Sequence, residues 1–375
     1  MIVGQLQQQR EGYKAFIPVP FPHKELLDFS AETISKHSEA IRLVGKLDGI
    51  TQLLPDVNFF IFMYIRKDAA SSNQIEGTRA TIIDAIEAEA NISSDLPEDV
   101  DDIIHYIATL NYGMERLKEF PISLRFIREL HKEMMKDARK TQFADPGEFR
   151  KSQNWIGGTA PSNAHYVPPP VYEMNQALND FEKFFHSKDI IPPLIKIALI
   201  HSQFEIIHPF LDGNGRTGRL LITLYLWLEK LLDKPVLFLS SYFRKYQQTY
   251  YNKLDDYSNG DVDKWLNFFL DGIIETADQA IKIVRKITII REEDINKVRS
   301  LGKTASKSAA LVLPELFKLP IVNLSKIKEW TGFTRYGAYK VVDRFIDLGI
   351  LELKDETKKY NKTYIYRRYV NIFTD

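Results

Sequence analysis

The tightest constraint on the fold is a pair of long apolar segments joined by a short, glycine-rich turn. The segment PPLIKIALIHSQFEIIHPF (192–210) predicts a buried helix that ends near Pro209, and GRLLITLYLWLEKLL (218–232) predicts a second one. Gly213 and Gly215 therefore lie at the start of the second helix. A buried helix pair of this kind favours a mainly α fold.

Helical spacing of apolar residues recurs along most of the chain, so the predicted fold class is mainly α. The other predicted helices cover 31–50, 58–77, 96–117, 123–135 and 261–286. Gly77 is predicted to stop a helix, and Thr81 with Asp84 is predicted to cap the next one. The segment 144–170 is rich in Gly, Pro and Asn, which predicts a hairpin or ordered loop. A charged connector is predicted at 291–307.

Composition excludes several classes of protein. A chain of 375 residues, 44% of them hydrophobic, is long enough for two or three domains with buried cores. Its formal net charge of zero does not indicate a general electrostatic hold on nucleic acid or membrane. The lack of cysteine excludes disulfides and thiolate chemistry. With no signal-peptide pattern and no apolar run that could span a bilayer, we expect a cytoplasmic protein without a membrane partner.

The last part of the chain, 322–370, predicts a winged helix-turn-helix: a helix, a Gly-containing turn, a second helix and a charged two-strand pattern. The recognition helix is predicted from about Thr334 to Leu348, with 358–369 as the wing. The residues predicted to face outward are Arg335, Tyr336, Lys340 and Arg344. Acidic residues dilute this basic face, namely Asp343, Asp347 and Glu352. DNA binding and a protein-binding or dimerising role therefore both stay open.

The turn between the two buried helices has the composition of an anion site. Its glycines let backbone N–H groups approach an anion, and the helix N-terminus adds a favourable partial charge. Arg216 and Arg219 can each fork onto phosphate oxygens. Asp212 suits Mg²⁺, and His208 can take a proton from an attacking hydroxyl. Together these groups indicate nucleotidyl or phosphoryl transfer to a hydroxyl.

Two common phosphate-binding folds do not fit this turn. The glycines at 213, 215 and 218 spell GxGxxG, but they follow a helical pattern, and no βαβ alternation surrounds them. The Lys-Ser/Thr pair of a Walker loop is missing as well.

The stretch HPFLDGNGRTGR (208–219) matches without a gap the signature of the Fic (filamentation induced by cAMP) family, His-x-Phe-x-Asp/Glu-Gly-Asn-Gly-Arg-x-x-Arg. The resemblance implies a helical core with a β-hairpin flap that transfers AMP from ATP to a Tyr, Thr or Ser hydroxyl of a target protein. It implies that His208 is the general base, that Asp212 holds Mg²⁺ and that Phe210 anchors the turn in the core. It implies that the phosphates are bound by Gly213, Asn214, Gly215, Arg216 and Arg219. This residue set favours adenylyl over phosphoryl transfer.

A second motif lies upstream, where Glu76 precedes the predicted helix stop. An acid in the last helical turn opposes the helix dipole at a cost of about 0.3–1 kcal/mol, which a specific cation would relieve. The pattern Ser72-x-x-x-Glu76-Gly resembles the inhibitory motif of Fic proteins, in which the Glu pairs with the second signature Arg, here Arg219. The resemblance implies autoinhibition, or a Glu that positions water to remove AMP. Without the signature, a surface acid near a turn would be the simpler interpretation.

Two further contacts are predicted from the resemblance. Trp155, Ile156 and Gly157 lie where the family has its flap, a hairpin that pairs with the target's backbone. Tyr251 and Leu254 lie where the family lines its adenine pocket, although an aromatic residue and a leucine at helical spacing are also typical of a core.

The sequence thus predicts three parts: an N-terminal helical region with the inhibitory helix (1–110), a catalytic core (111–290) and a small α+β winged helix (300–375). The predicted function is protein adenylyltransferase. The alternatives are a related transfer such as that of UMP, removal of AMP, and a nucleotide-sensing regulator that acts through DNA, although the intact His208 argues against pure sensing. A homodimer and, through the winged helix, DNA are the further partners considered.

Overall fold

The computed structural model describes residues 3–22, 29–52, 54, 57–92, 96–136, 145–187, 191–357 and 360–374. These residues form helices with a few short strands, which confirms the mainly α fold class. The N-terminal helices are α1 Ala31–Gln52, α2 Asn58–Ile75, α3 Ile82–Glu89, α4 Val100–Arg116 and α5 Leu124–Met134. The central helices are α6 Val171–Phe185, α7 Pro193–Ile207, α8 Asn214–Leu228, α9 Ser240–Lys245, α10 Gln247–Ser258 and α11 Val262–Arg299. The C-terminal helices are α12 Lys303–Lys318, α13 Leu324–Thr331, α14 Arg335–Asp347 and α15 Arg367–Thr374.

The chain begins with a β-hairpin that apolar periodicity does not predict. Strands β1 (Gly4–Gln8) and β2 (Lys14–Pro18) pair antiparallel, with Gly4 opposite Pro18. The Phe16 N–H also donates to the Val167 carbonyl at 2.9 Å, so the hairpin is fastened to the segment just before α6. The predicted N-terminal helical region therefore includes a small sheet.

Helices α7 and α8 form the centre of the core, as predicted. Almost every residue of α7 is buried, including polar ones, because other helices cover it on all sides. Trp265 of α11 packs here and donates from Nε1 to the Ala198 carbonyl at 2.9 Å. The two helices are thus held rigidly on either side of the glycine-rich turn.

Two of the predicted domain boundaries, at 110 and 290, fall inside helices, whereas the third, at 300, falls at the break between α11 and α12. Helix α4 runs through position 110, and α11 runs without a break through position 290. The predicted charged connector at 291–307 is instead the end of α11 and the start of α12. The physical reason lies in the buried carboxylate of Asp294, which accepts hydrogen bonds from Tyr366 and Arg368 and so ties the end of α11 to the C-terminal part.

The C-terminal part contains α12 to α14 and a three-stranded antiparallel sheet. Strands β3 (Ile321–Asn323), β4 (Glu352–Leu353) and β5 (Thr363–Ile365) lie in the order β3-β5-β4. The order helix, strand, two helices, two strands supports a winged helix-turn-helix, which stays a prediction. Residues 358 and 359 of the predicted wing lie outside the described residues.

This C-terminal part packs against the helices that precede the core. The ring of Phe373 in α15 meets Tyr64 of α2 edge-on at 6.2 Å, and Lys354, the residue after β4, pairs with Glu87 of α3. No helix in the described part of the chain has the length and apolar character needed to cross a bilayer.

Candidate active site

The turn between α7 and α8 is built on two backbone conformations with positive φ. Helix α7 is followed by its left-handed C-cap residue His208 (φ 47°, ψ 60°), and α8 begins after Gly213 (φ 77°). The Asn214 side chain closes the loop, since its Oδ1 accepts from the Phe210 N–H at 2.9 Å and its Nδ2 donates to the Phe210 carbonyl at 2.8 Å. Asn214 therefore shapes the turn with its side chain, and its backbone N–H lies in the first turn of α8.

Two residues from the preceding loop brace the same turn. Arg150 donates from Nε to the His208 carbonyl at 3.0 Å, and Asn154 donates from Nδ2 to the Phe210 carbonyl at 2.8 Å. Both side chains are buried. Sequence reasoning missed them because polar residues in a loop carry no signal of the distant carbonyls that they meet.

A buried histidine that sequence reasoning also missed supports the other side of the turn. The Nδ1 atom of His131 accepts from the Gly147 N–H at 2.9 Å, so the Nε2–H donates to the Asp212 carbonyl at 3.0 Å. Burial lowers the pKa of His131 to about 4, which keeps the ring neutral. The ring also stacks on Phe210 at 3.7 Å, so Phe210 is the core anchor of the turn.

The orientation of His208 leaves its Nε2 atom without a hydrogen-bond partner in the part of the chain that the structure describes. Its Nδ1 lies 3.3 Å from the Glu205 carbonyl, which can only accept, so Nδ1 carries the proton and Nε2 keeps its lone pair. Burial lowers the pKa of His208 to about 4. The imidazole is therefore neutral near pH 7 and has the protonation state of a general base.

A cavity of about 580 Å³ opens above the turn and brings most of the predicted site residues together. Those lining it are Glu76, Trp155, Ile156, Gly157, His208, Asp212, Gly213, Asn214, Gly215, Arg219, Tyr251 and Leu254. Ser72 and Arg216 are not among the lining residues; both are buried beside it. The lining residues come from α2, the loop before α6, the turn, α8 and α10, which are far apart in the chain.

Arg219 is paired with the end of α2. Its Nη2 donates to Glu76 Oε1 at 2.6 Å and to the Ser72 carbonyl at 2.9 Å, while its Nε donates to Ser72 Oγ at 2.9 Å. The Arg219 side chain is 2% exposed and that of Glu76 is 39% exposed. The cation is thus buried and the carboxylate faces the cavity.

Glu76 also lies against the first turn of α8. A Cβ added to Gly215 would lie 2.4 Å from Glu76 Oε1, so the carboxylate lies in the space that a side chain at position 215 would fill. The carboxylate therefore occupies space beside the helix N-terminus, which is where an anionic ligand would be most stable.

The loop before α6 forms a narrow hairpin over the cavity. Ile156 and Tyr166 exchange backbone hydrogen bonds of 2.8 and 3.1 Å, and Gly157 turns the chain with φ 70°. Tyr166 anchors the hairpin by donating to the Ile206 carbonyl, and His165 reaches Asp255 of α10. Trp155 and Ile156 remain 40% and 38% exposed.

Comparison with known proteins identifies the family. Residues 34–115 match the model of the Fic/DOC family N-terminal region, and residues 121–226 match that of the Fic/DOC family; together they cover half of the chain. The chain belongs to the Fic/DOC family. The second match includes the loop of Trp155 and the whole turn, whereas Tyr251 and Leu254 lie beyond it.

Among curated relatives, the protein adenylyltransferase Fic of Aedes aegypti is 32% identical over 162 residues, which is 42% of this chain and 29% of that protein. The Drosophila melanogaster protein of the same name is 24% identical over 256 residues, 66% of this chain and 47% of that protein. The chain therefore spans less than half the length of these relatives.

Solved structures share the Fic fold. A Fic family protein from Desulfovibrio desulfuricans superimposes with a TM-score of 0.57 at 17% identity and covers 90% of this chain and 96% of its own. A Fic domain protein from Bacteroides thetaiotaomicron gives 0.54 at 22% identity, with 66% and 97% covered. At these identities the likeness concerns the fold.

The first Fic signature arginine, Arg216, is buried beside the cavity and is not one of its lining residues. Arg216 is buried with its Nη2 3.4 Å from the sulfur of Met135, and its Nε has no hydrogen-bond partner in the described structure. Asp212 Oδ1 lies 3.7 Å from Arg216 Nη2 and accepts from the Gly213 N–H at 2.6 Å. The unpartnered Nε is a donor that a phosphate oxygen would satisfy.

Asp212 fits the role of a magnesium ligand. Its side chain is 41% exposed at the rim of the cavity. The contacts described above involve only its Oδ1 atom, so Oδ2 can bind a ligand. In the part of the chain that the structure describes, no cluster of three or more His, Asp or Glu side chains could hold a metal ion. A single carboxylate suits Mg²⁺ that takes its other ligands from phosphates and water.

A buried acid, Glu205, is the site residue that sequence reasoning missed most clearly. It lines the cavity between His208 and Arg219, and its Oε1 has no hydrogen-bond partner among the described residues. Burial raises its pKa to about 7, while Arg219 lowers it and Glu76 raises it further. The motif spacing gives no sign of this, because the signature begins three residues later.

The substitution Glu205→Gln should change how stability depends on pH. The raised pKa means that native-state stability is lost as pH rises from about 4.5, where the unfolded carboxyl ionises, to about 7. Glutamine cannot ionise, so the variant should gain stability relative to wild type across this window, by at most roughly 3 kcal/mol, with a plateau above it. Thermal unfolding at pH 5, 6, 7 and 8 measures the difference. The exposed Glu119→Gln is the control, and a difference that is constant with pH for Glu205→Gln would contradict the expectation.

Proposed function

We propose that this protein transfers AMP from ATP to the hydroxyl of a Tyr, Thr or Ser side chain on a target protein. The observation that carries the proposal is the neutral His208, whose Nε2 is free, in one cavity with the N-terminus of α8. The named activity of the curated relatives supports the same reaction class.

In the proposed step, the target's hydroxyl oxygen forms a bond to the α-phosphorus, and its proton passes to Nε2 of His208. The bond from the α-phosphorus to the oxygen bridging to the β-phosphorus breaks, and pyrophosphate leaves with that electron pair. The N–H groups of Gly213 and Gly215 would hold the nucleotide's phosphates at the start of α8. The resulting histidinium is destabilised by burial and would return its proton to solvent or product.

Magnesium bound at Asp212 would neutralise phosphate charge. The chain's own cations at this position are Arg216, whose unpartnered Nε supports a phosphate contact, and Arg219. Tyr251 is 40% exposed at the far wall of the cavity with Leu254, which supports their contact with the adenine base. The exposed hairpin backbone around Ile156 would pair with the target's main chain.

Glu76 would keep this enzyme inhibited. Its carboxylate holds Arg219 and lies at the α8 N-terminus, so a γ-phosphate placed there would meet a like charge and find the arginine already paired. ATP would then bind in a pose unsuited to attack. The contact between Glu76 and Arg219 supports this proposal.

The position of a radiolabel tests the reaction class. The protein, in its Glu76→Gly form, is incubated with Mg²⁺ and ATP labelled at either the α- or the γ-phosphate. We expect label on protein from the α-position only, because the β- and γ-phosphates depart together. Protein labelled from the γ-position would mean phosphoryl transfer and would refute the proposal.

Removal of AMP is a second candidate, favoured by one observation. Glu76 lines the same cavity as His208, where its carboxylate would orient a water. Protein carrying labelled AMP, made with the Glu76→Gly form, is incubated with unlabelled wild type. Release of AMP by wild type but not by Glu76→Gly would support this activity; no release by either would exclude it.

A further inference from the structure

The charge of this chain is unevenly distributed. Residues 300–375 contain fourteen Lys and Arg against eight Asp and Glu, a net charge of +6, whereas the whole chain is neutral. The preceding residues therefore carry a net −6. A basic C-terminal part on an otherwise acidic protein indicates an anionic partner for that part alone.

Several of these positive charges lie around a groove between α12 and α14, which we call the basic groove. It has a volume of about 560 Å³. Its lining residues are Lys303, Thr304, Lys307, Ser308, Leu311, Phe333, Gly337, Lys340 and Arg344. Four of the nine are cations, and none is an acid.

The cations of the basic groove lack the partners that neighbouring cations have. On the same part of the chain, Lys318 pairs with Glu315 at 2.8 Å and Lys326 pairs with Glu329 at 2.9 Å. By contrast, no acid of the described structure lies within ion-pair distance of Lys303, Lys307, Lys340 or Arg344; Arg344 donates only to Ser308 Oγ.

The helix dipole adds to this charge. Helix α12 begins at the mouth of the basic groove, and its N-cap Gly302 provides no side-chain hydrogen bond. The first backbone N–H groups of this helix are therefore open to a ligand, and the dipole favours an anion there. The positive charge, the concave shape and the backbone N–H donors of the basic groove therefore all favour a ligand that carries phosphate.

The surroundings of the basic groove favour duplex DNA. Helix α14 projects from one wall with Arg335 and Tyr336 exposed at its N-terminal end, where a helix that enters the major groove makes its contacts. Asp343 of α14 is not one of the residues that line the basic groove, and it lies close enough to Tyr364 of β5 to add to the increase that burial causes in the pKa of that phenol. We propose that the basic groove binds the phosphate backbone of duplex DNA, with α14 directed into the major groove. This inference is independent of the chemistry at His208.

Binding of a fluorescent duplex to the full-length chain tests the proposal. The probe is a mixed-sequence 25-base-pair DNA, and anisotropy is measured from about 50 to 300 mM salt. The variant Lys307→Ala with Lys340→Ala removes two exposed cations of the groove. We expect it to lose at least tenfold in affinity near 100 mM salt and to reduce the slope of log K against log salt by about 2.

The matched control is Lys318→Ala with Lys326→Ala, which removes the same charge from the same part of the chain but outside the groove. We expect its affinity to stay within about twofold of wild type, with both double variants unfolding at wild-type temperature. An equal loss of DNA affinity in both double variants would mean a general charge effect. No loss of affinity in the groove variant would mean that the DNA binds elsewhere. Either result overturns the proposal. Competition by a phosphopeptide or inorganic polyphosphate at the same phosphate concentration as the duplex would also overturn it in favour of another anion.

Discussion

The substitution Glu76→Gly should raise incorporation of label from α-labelled ATP into protein at least tenfold over wild type, which we expect to label itself only faintly. The reason is that Arg219 loses the carboxylate that holds it at 2.6 Å, and the space beside Gly215 is vacated. A charged hydrogen bond from the freed arginine to a phosphate is worth roughly 1.5–3 kcal/mol, or about 10–100-fold in rate when it is made in the transition state.

The gain should disappear when Arg219 is also removed. We therefore compare wild type, Glu76→Gly, Arg219→Ala and the double variant under the same conditions. If Glu76 acts by restraining Arg219, the double variant labels no better than Arg219→Ala alone. Thermal unfolding of each variant shows whether the buried site remains folded.

Milder substitutions distinguish the effect of the Glu76 charge from the effect of the space that its side chain occupies. Glu76→Gln keeps the side chain beside Gly215 but removes its charge, so it should activate less than glycine does. Ser72→Ala removes one acceptor of Arg219 and leaves the ion pair, so its effect should be smaller still. Activation that persists without Arg219 would contradict the proposed inhibition.

The glycine-rich turn shows how much of the site the sequence predicts. A gap-free motif gives His208, Asp212 and the glycines, because they lie within one short stretch and their spacing is fixed by the start of a helix. The pattern also gives Glu76, at a helix end where an acid is unfavourable without a partner. The structure then joins Glu76 to Arg219 across 143 residues.

What the sequence does not predict depends on long-range packing. Arg150 and Asn154 hold the turn through backbone carbonyls, and such contacts leave no periodicity. The high pKa of Glu205 arises from burial inside a helix pair, not from its neighbours in sequence. Likewise, a charged stretch suggested a connector after 290, but Asp294 is buried by partners some seventy residues away, and α11 continues.

Loss of His208 should have the largest effect of any single substitution. In the Glu76→Gly background, replacing this residue removes the group that is proposed to take the hydroxyl proton, and general-base catalysis contributes about 10²–10⁴-fold. We expect labelling to fall below detection in His208→Ala. Its left-handed backbone conformation would strain alanine, so His208→Asn, which tolerates that conformation, is the matched variant.

The pH dependence distinguishes a catalytic base from a structural histidine at this position. Because burial lowers the pKa of His208 to about 4, its base form is present throughout pH 6 to 8 and is lost only as pH falls toward 4. Labelling by the Glu76→Gly form, made also with Glu205→Gln to remove that titration, should therefore persist at pH 6 and decline below about pH 5. A midpoint near 6.5 would mean that the ring is solvated during the reaction. Full labelling by a folded His208→Asn would show that the reaction does not need His208 as a base. Catalysis would then depend on the helix N-terminus and the arginines alone.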